Sequence, residues 1–401
     1  MKQEKRQALE EIRVLDLATF IAAPFCATLL GEFGAEVIKV EMPGEGDPLR
    51  RLGETHKGVG LLWLQEARTK KGVTCDLRKL EGQEIVRDLI QRCDMVVENF
   101  RPGTLEGWGL GYDSLKRLNP GLIMVRISAY GQTGPYASKA GFGRIAQAFG
   151  GITYLTGHPD QPPVNPGSAT IADYAAGLFA AYAALAALQH RHRTGLGQCI
   201  DVSLYESVFR LLDNLALTYH LLGQVRERMG SATPHAVPHD HYPTRDGKWV
   251  AIACTNDRMF QRLARAMGRE ALATDPRYAA AASRLQRREE VDSLVAAWTR
   301  TLDLRPVVEL LDAHEVPVSP IYSIEDIFRD PQYLARGTLV ELEDPVLGKV
   351  RMPGIVPRMS LTPGHIPSPG PRLGKHNRDV YGSLLGYSDA KLALLQEKGV
   401  I

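Results

Sequence analysis

The stretch Arg13–Glu41, "RVLDLATFIAAPFCATLLGEFGAEVIKVE", decides the fold. "RVLDL" (Arg13–Leu17) is short, apolar and branched, which predicts a strand. The segment from Pro24 to Gly34 predicts a helix, with proline near its start and glycine at its end. "EVIKVE" (Glu36–Glu41) predicts a second strand. A strand, a helix and a strand within 29 residues make a parallel crossover unit.

The pattern continues outward from this unit. "GVTCDL" predicts a third strand and "EGQEIVRDLIQRC" an amphipathic helix. "DMVVEN" (Asp94–Asn99) and "LIMVRIS" (Leu122–Ser128) predict two more strands. The expected class is therefore α/β, a doubly wound and mainly parallel sheet. Ligands in such folds bind at the carboxyl ends of strands. Those ends carry Glu41, Asp76, Asn99 and Ser128. "GQCIDVSLYESVFRLL" then reads as strand into helix. Beyond Gly223 a linker rich in His and Pro, "RERMGSATPHAVPHDHYPTRDG", leads to a smaller module that starts at "KWVAIAC". The expected organisation is a large domain over residues 1–224, a small α+β domain over 225–324, and a C-terminal segment 325–401.

Composition narrows the functional classes. The 401 residues carry 48 Lys and Arg against 46 Asp and Glu, a net charge of +2. That balance gives no support for nucleic acid or an anionic membrane as a bulk partner. Five scattered cysteines with no CxxC pair point to reduced thiols in a reducing compartment. "MKQEKRQALEEIRVLDL" has no apolar signal core, so a cytoplasmic location is expected. Ile171–Leu188 is just long enough to span a membrane, but it is mostly alanine and contains Asp173 and Gly177. It predicts a packed interior helix instead.

Asp173 is the only charged residue between Gly167 and Leu188. Thr170 and Asp173 have capping-box spacing, which gives the acid a structural role. A carboxylate in apolar surroundings at a helix N-terminus is also a fit nucleophile for an activated acyl group. Other motifs are weaker. Gly141–Ala146 matches GxGxxA, but a loop precedes it and no acid follows at the required distance, so a dinucleotide site is not expected. His235, His239 and His241 read as part of the polar linker, and no metal site is expected.

Five segments in one order carry a family resemblance: "RVLDL…AAPFCATLLGEFGAEVIKVE", "KKGVTCDLR", "VVENFRPG", "IADYAAG" and "RTGLGQCIDVSLYES". The chain resembles the class III coenzyme A transferases (CaiB/BaiF type), which include formyl-CoA transferase, carnitine CoA-transferases and α-methylacyl-CoA racemase. The resemblance implies an interlocked homodimer and a CoA thioester as substrate, with no permanently bound cofactor. It makes Asp173 the catalytic nucleophile, forming an aspartyl anhydride and then an aspartyl-CoA thioester. It places CoA against Ala22 and Ala23, against Asp76, Leu77 and Arg78, and against Asn99, Phe100 and Arg101. Ala140, Gly141, Phe142 and Gly143 fall on the loop facing the thioester.

Departures from the family pattern narrow the substrate. Met42 and Pro43 stand where several relatives carry a CoA-contacting arginine, and Gly107 stands where formyl-CoA transferase has another. No counterpart of that enzyme's glycine loop is present. Racemase relatives carry a histidine after "AG", whereas Phe142 stands here and cannot take a proton. The reading is therefore CoA transfer to a carboxylic acid. The donor is succinyl-CoA or a similar thioester, and the acceptor a dicarboxylate held by Arg50, Arg51 or Arg144. The alternative is a 2-methylacyl-CoA racemase using Asp173 as acid and base. An acyl-CoA-binding protein without chemistry is the third reading.

Overall fold

The computed structural model describes residues 7–167 and 170–401. The first six residues of the segment read for targeting signals lie outside this range, as do Ser168 and Ala169 beside the alanine-rich stretch. The chain divides into two compact units. The described parts of Met1–Thr153, Asn165–Gly223 and Gly337–Ile401 form the larger, and Tyr154–Val164 with Gln224–Arg336 form the smaller. The return to the larger unit thus comes at Gly337.

The larger unit is built on six parallel strands: β1 (Arg13–Asp16), β2 (Glu36–Glu41), β3 (Lys70–Thr74), β4 (Met95–Glu98), β5 (Ile123–Ser128) and β6 (Cys199–Ser203). Their order across the sheet is β3-β2-β1-β4-β5-β6, with the reversal between β1 and β4. That order is the doubly wound arrangement that the alternation predicts. The third strand ends at Thr74, because Asp76 turns away to donate its N–H to the Val400 carbonyl.

Alternate residues of each strand feed two cores, one on each sheet face. Val14, Val37, Val97 and Val125 face α1 (Ala22–Glu32) and the long helix α2 (Ile171–Thr194). Leu15, Ile38, Val96 and Met124 face the opposite core, which includes Val380, Tyr381, Leu395 and Val400 from the C-terminal segment. α1 begins two residues before Pro24, so the proline sits in its first turn, where its missing N–H costs nothing. α1 and α2 pack backbone to backbone. A Cβ on Gly177 would lie 2.8 Å from the Ala22 carbonyl oxygen, so only glycine allows that approach.

α2 is the one described helix long and apolar enough to cross a membrane. Its alanines fill the first core, and its last turn ends at Gly195 in the left-handed conformation. The smaller unit has its own core between a three-stranded antiparallel sheet and helices Asp257–Ala266, Arg288–Thr299 and Leu304–Ala313. His239 and His241, read as linker residues, lie on the edge strand His239–Pro243 of that sheet. Apolar Tyr242 anchors this strand in the small core, and the cluster of polar neighbours concealed it.

Candidate active site

A cleft of about 210 Å³ opens at the carboxyl edge of the sheet, where β1, β4 and β5 end. It is lined by Thr19, Phe20 and Ala22 after β1, by Asn99, Phe100, Arg101 and Pro102 after β4, and by Ser128 and Ala129 at the end of β5. Lys139, Ala140, Gly141 and Phe142 complete one wall, and Asp173 projects from the first turn of α2.

The structure thus gathers Ala22, Asn99, Phe100, Arg101, Ala140, Gly141, Phe142 and Asp173 into one cleft. Gly143 belongs with them. A Cβ placed on it would lie 2.1 Å from Asp173 Oδ2, so a glycine is required for the carboxylate to occupy this position. Ala23 does not line the cleft; it is fully buried among the residues of the first core. Asp76, Leu77 and Arg78 lie off the end of β3, where the Arg78 guanidinium pairs with Asp76 at 2.9 Å. They share the carboxyl edge of the sheet with the cleft. From β3 to β5 is four strand spacings, or about 19 Å.

The capping box is not formed: the Thr170 side chain makes no cap hydrogen bond. Asp173 sits in the first turn of α2 with Gly143 against its carboxylate. Burial pushes its carboxyl up to about 6, and its own backbone amide pulls the other way. No cation pairs with it among the described residues, so its charge is not quenched by a partner. At neutral pH it is mainly ionised and poorly solvated, a reactive combination.

Two expected ligand contacts have other work. Asn99 clamps the loop after β1, with Oδ1 accepting from Thr19 N–H at 2.9 Å and Nδ2 donating to the Thr19 carbonyl at 2.7 Å. Arg50 is bound to Glu41 through two hydrogen bonds of 2.6 and 2.8 Å and stacks 3.8 Å over Trp63, so it is not available to an acceptor carboxylate. By contrast, Arg101 and Arg144 are exposed and have no ion-pair partner among the described residues.

Several site residues were not found by sequence reasoning: Thr19, Phe20 and Lys139 line the cleft. Ser128, expected at the carboxyl end of its strand, lines it too, and its Oγ is a buried hydroxyl with no hydrogen-bond partner among the described residues. Beneath them lies a buried cluster of two carboxylates and two ammonium groups. Lys70 Nζ meets Asp16 Oδ2 at 2.8 Å, and Lys39 Nζ meets Asp47 Oδ2 at 3.0 Å and Asp16 Oδ1 at 3.7 Å. The signal was Lys39 inside β2, a strand whose residues feed apolar cores on both faces. Such a strand has no solvent face to carry it, so the lysine needs a buried partner. Lys70, at the start of the edge strand β3, gave no such signal. Phe20 itself has φ +61°, the left-handed region, where a bulky side chain costs about 1–2 kcal/mol.

A profile of the family described as "CoA-transferase family III" matches residues 9–377. The chain therefore belongs to that family, and it is a CoA-transferase. It is 48% identical over 400 residues to a succinyl-CoA–D-citramalate CoA-transferase of Chloroflexus aurantiacus, covering 100% of this chain and 99% of that one. It is 50% identical over 396 residues to the beta subunit of a succinyl-CoA–L-malate CoA-transferase of the same organism, covering 98% of each. Among solved structures, a CaiB/BaiF family protein from Brucella suis superimposes with a TM-score of 0.84 at 35% identity, covering 94% of this chain and 100% of that one. The racemase reading finds no support among these relatives.

Proposed function

We propose that the protein moves CoA from succinyl-CoA to a dicarboxylic acid, with Asp173 as the covalent carrier. One observation carries the mechanism: an unpaired, part-buried carboxylate stands in a cleft at the head of a helix, against a glycine that leaves it room. The acceptor class is supported by the named relatives, whose acceptors, D-citramalate and L-malate, are both hydroxylated dicarboxylates.

The Asp173 carboxylate attacks the thioester carbonyl, the C–S bond breaks, and CoA thiolate leaves behind an aspartyl–succinyl anhydride. The thiolate attacks the aspartyl carbonyl and releases succinate, leaving an aspartyl-CoA thioester. The acceptor carboxylate attacks that carbonyl and expels the thiolate again. The thiolate then takes the acceptor acyl group, and Asp173 is regenerated. Each addition makes an oxyanion, which backbone or hydroxyl donors in the cleft would stabilise, each worth roughly 3 kcal/mol. Arg101 and Lys139 supply positive charge for the CoA phosphates.

The working form in this reading is a cytoplasmic homodimer. Helix Leu215–Leu222 buries none of its residues, and Leu217, Tyr219, Leu221 and Leu222 are all more than half exposed. Tyr182 and Leu178 on α2 are exposed as well. Apolar surface on this scale marks an interface.

The reading is tested with pure protein, succinyl-CoA and a pool of mono- and dicarboxylic acids, with acyl-CoA masses read after incubation. A new hydroxydicarboxyl-CoA with stoichiometric succinate supports it. New thioesters of monocarboxylic acids alone would remove the dicarboxylate assignment.

Two further outcomes follow from the geometry. kcat/KM for transfer is constant above about pH 7 and falls roughly tenfold per unit below the free-enzyme Asp173 value of about 6, since only the ionised carboxylate attacks. A flat profile down to pH 5 contradicts the assignment of Asp173. Gly143→Ala places a methyl group against Oδ2, displaces the carboxylate, and lowers kcat about 100-fold with an unchanged melting temperature.

A further inference from the structure

We propose that Phe20 and Phe142 form an aromatic wall that keeps water from the acylated Asp173. This rests on the reading of Asp173 as the covalent carrier. The two rings meet edge to face across the cleft, with centroids 5.8 Å apart and an 80° interplanar angle. Phe142 directly precedes Gly143, whose backbone abuts the Asp173 carboxylate, so the wall stands beside the reacting atom. Phe142 is 66% exposed, too open for a core residue, and its bulk serves the cleft.

The loop that presents Phe20 is fixed by side chains at Ala18, Thr19 and Phe20. Asp16 Oδ1 accepts from Ala18 N–H, and Lys39 Nζ donates to the Ala18 carbonyl. Asn99 holds both backbone groups of Thr19. Asp47 Oδ1 accepts from Phe20 N–H at 3.1 Å while its other oxygen pairs with Lys39. A bulky residue persists at φ +61° only when its surroundings over-determine it, and such positions cluster at functional sites. The buried Asp16–Lys39–Asp47–Lys70 cluster is a positioning device for this ring.

The chemistry explains what the wall does. An aspartyl anhydride or thioester is lost if water adds to its carbonyl before CoA thiolate or the acceptor does. Water oxygen then bonds to the carbonyl carbon, and the C–O or C–S bond breaks. The proton goes to the leaving carboxylate or sulfur, and one CoA ester is wasted as free acid and thiol. Excluding water from the cleft favours transfer over this loss.

The test measures the ratio of hydrolysis to transfer from succinyl-CoA in ¹⁸O water, with L-malate as acceptor. Wild type, Phe142→Ala, Phe20→Ala, Phe142→Leu and Asp173→Ala are compared. We expect the ratio to rise at least tenfold in the two alanine variants and to stay within about twofold of wild type in Phe142→Leu, which keeps apolar bulk. A merely structural role lowers both rates together and leaves the ratio unmoved; that result in both alanine variants overturns the wall. If Asp173→Ala still transfers CoA, the carrier reading fails and the wall with it. If Asp173→Ala is inert and the ratio is unmoved, only the wall fails.

Discussion

Asp173→Ala is expected to lower kcat/KM for CoA transfer on the order of 10⁵-fold, while acyl-CoA still binds within about threefold of wild type. In the proposed function the side chain carries the acyl group, so its loss would remove the covalent route and leave only binding and orientation. The fold does not depend on it: among the described residues the carboxylate makes no ion pair, and Ala172, Ala175 and Ala176 supply the packing of that turn. Mass spectrometry of acid-quenched enzyme checks the mechanism. The wild-type peptide containing Asp173 gains the mass of a CoA thioester after incubation with succinyl-CoA, and the variant peptide does not. An adduct on any other peptide would show that the nucleophile lies elsewhere.

The second large effect is on stability. Asp16 lies between Lys39 and Lys70, and all three are fully buried. Among the described residues, Asp16→Ala leaves the buried Lys70 ammonium with no carboxylate at contact distance and Lys39 with Asp47 alone. Removing one partner from a buried ion pair costs about 3–5 kcal/mol. The unfolding midpoint in urea should drop accordingly. Asp16→Asn, which keeps the hydrogen bond to Ala18 N–H, should recover only part of the loss. A midpoint unmoved by Asp16→Ala would show that water reaches these lysines.

The fold was legible because its signals are local. The strands around Val14, Val37, Val97 and Val125 each lie in a short apolar run, and the glycines between them mark where helices stop. The cleft was legible only where a local motif carries it, as at "ENFRPG", "KAGFG" and "IADYAAG". The roles inside those motifs were not. Asn99 turned out to hold a loop and Arg50 to be paired with Glu41, because both partners lie in other segments. Lys39 and Lys70 are 31 residues apart in sequence and share Asp16 through sheet pairing, which no local pattern encodes. Phe20 shows the same limit. Its left-handed backbone is imposed by Asp47, 27 residues away.

The C-terminal segment has a consequence for how the protein is made. Tyr381 hydroxyl donates to the Thr74 carbonyl and Val400 accepts from Asp76 N–H, so the β3 side of the sheet is closed by residues more than 300 positions later. During synthesis the entire smaller unit leaves the ribosome before those residues exist. Until then Val73, Ile85 and Leu89 lack the cover of Tyr381, Leu395 and Val400. A nascent chain stalled near residue 370 would therefore expose a greasy sheet face and bind holdase chaperones, whereas a chain with residues 371–401 in place would not. Contacts spanning such a distance also close slowly, so translation speed over residues 371–401 sets a window for aggregation.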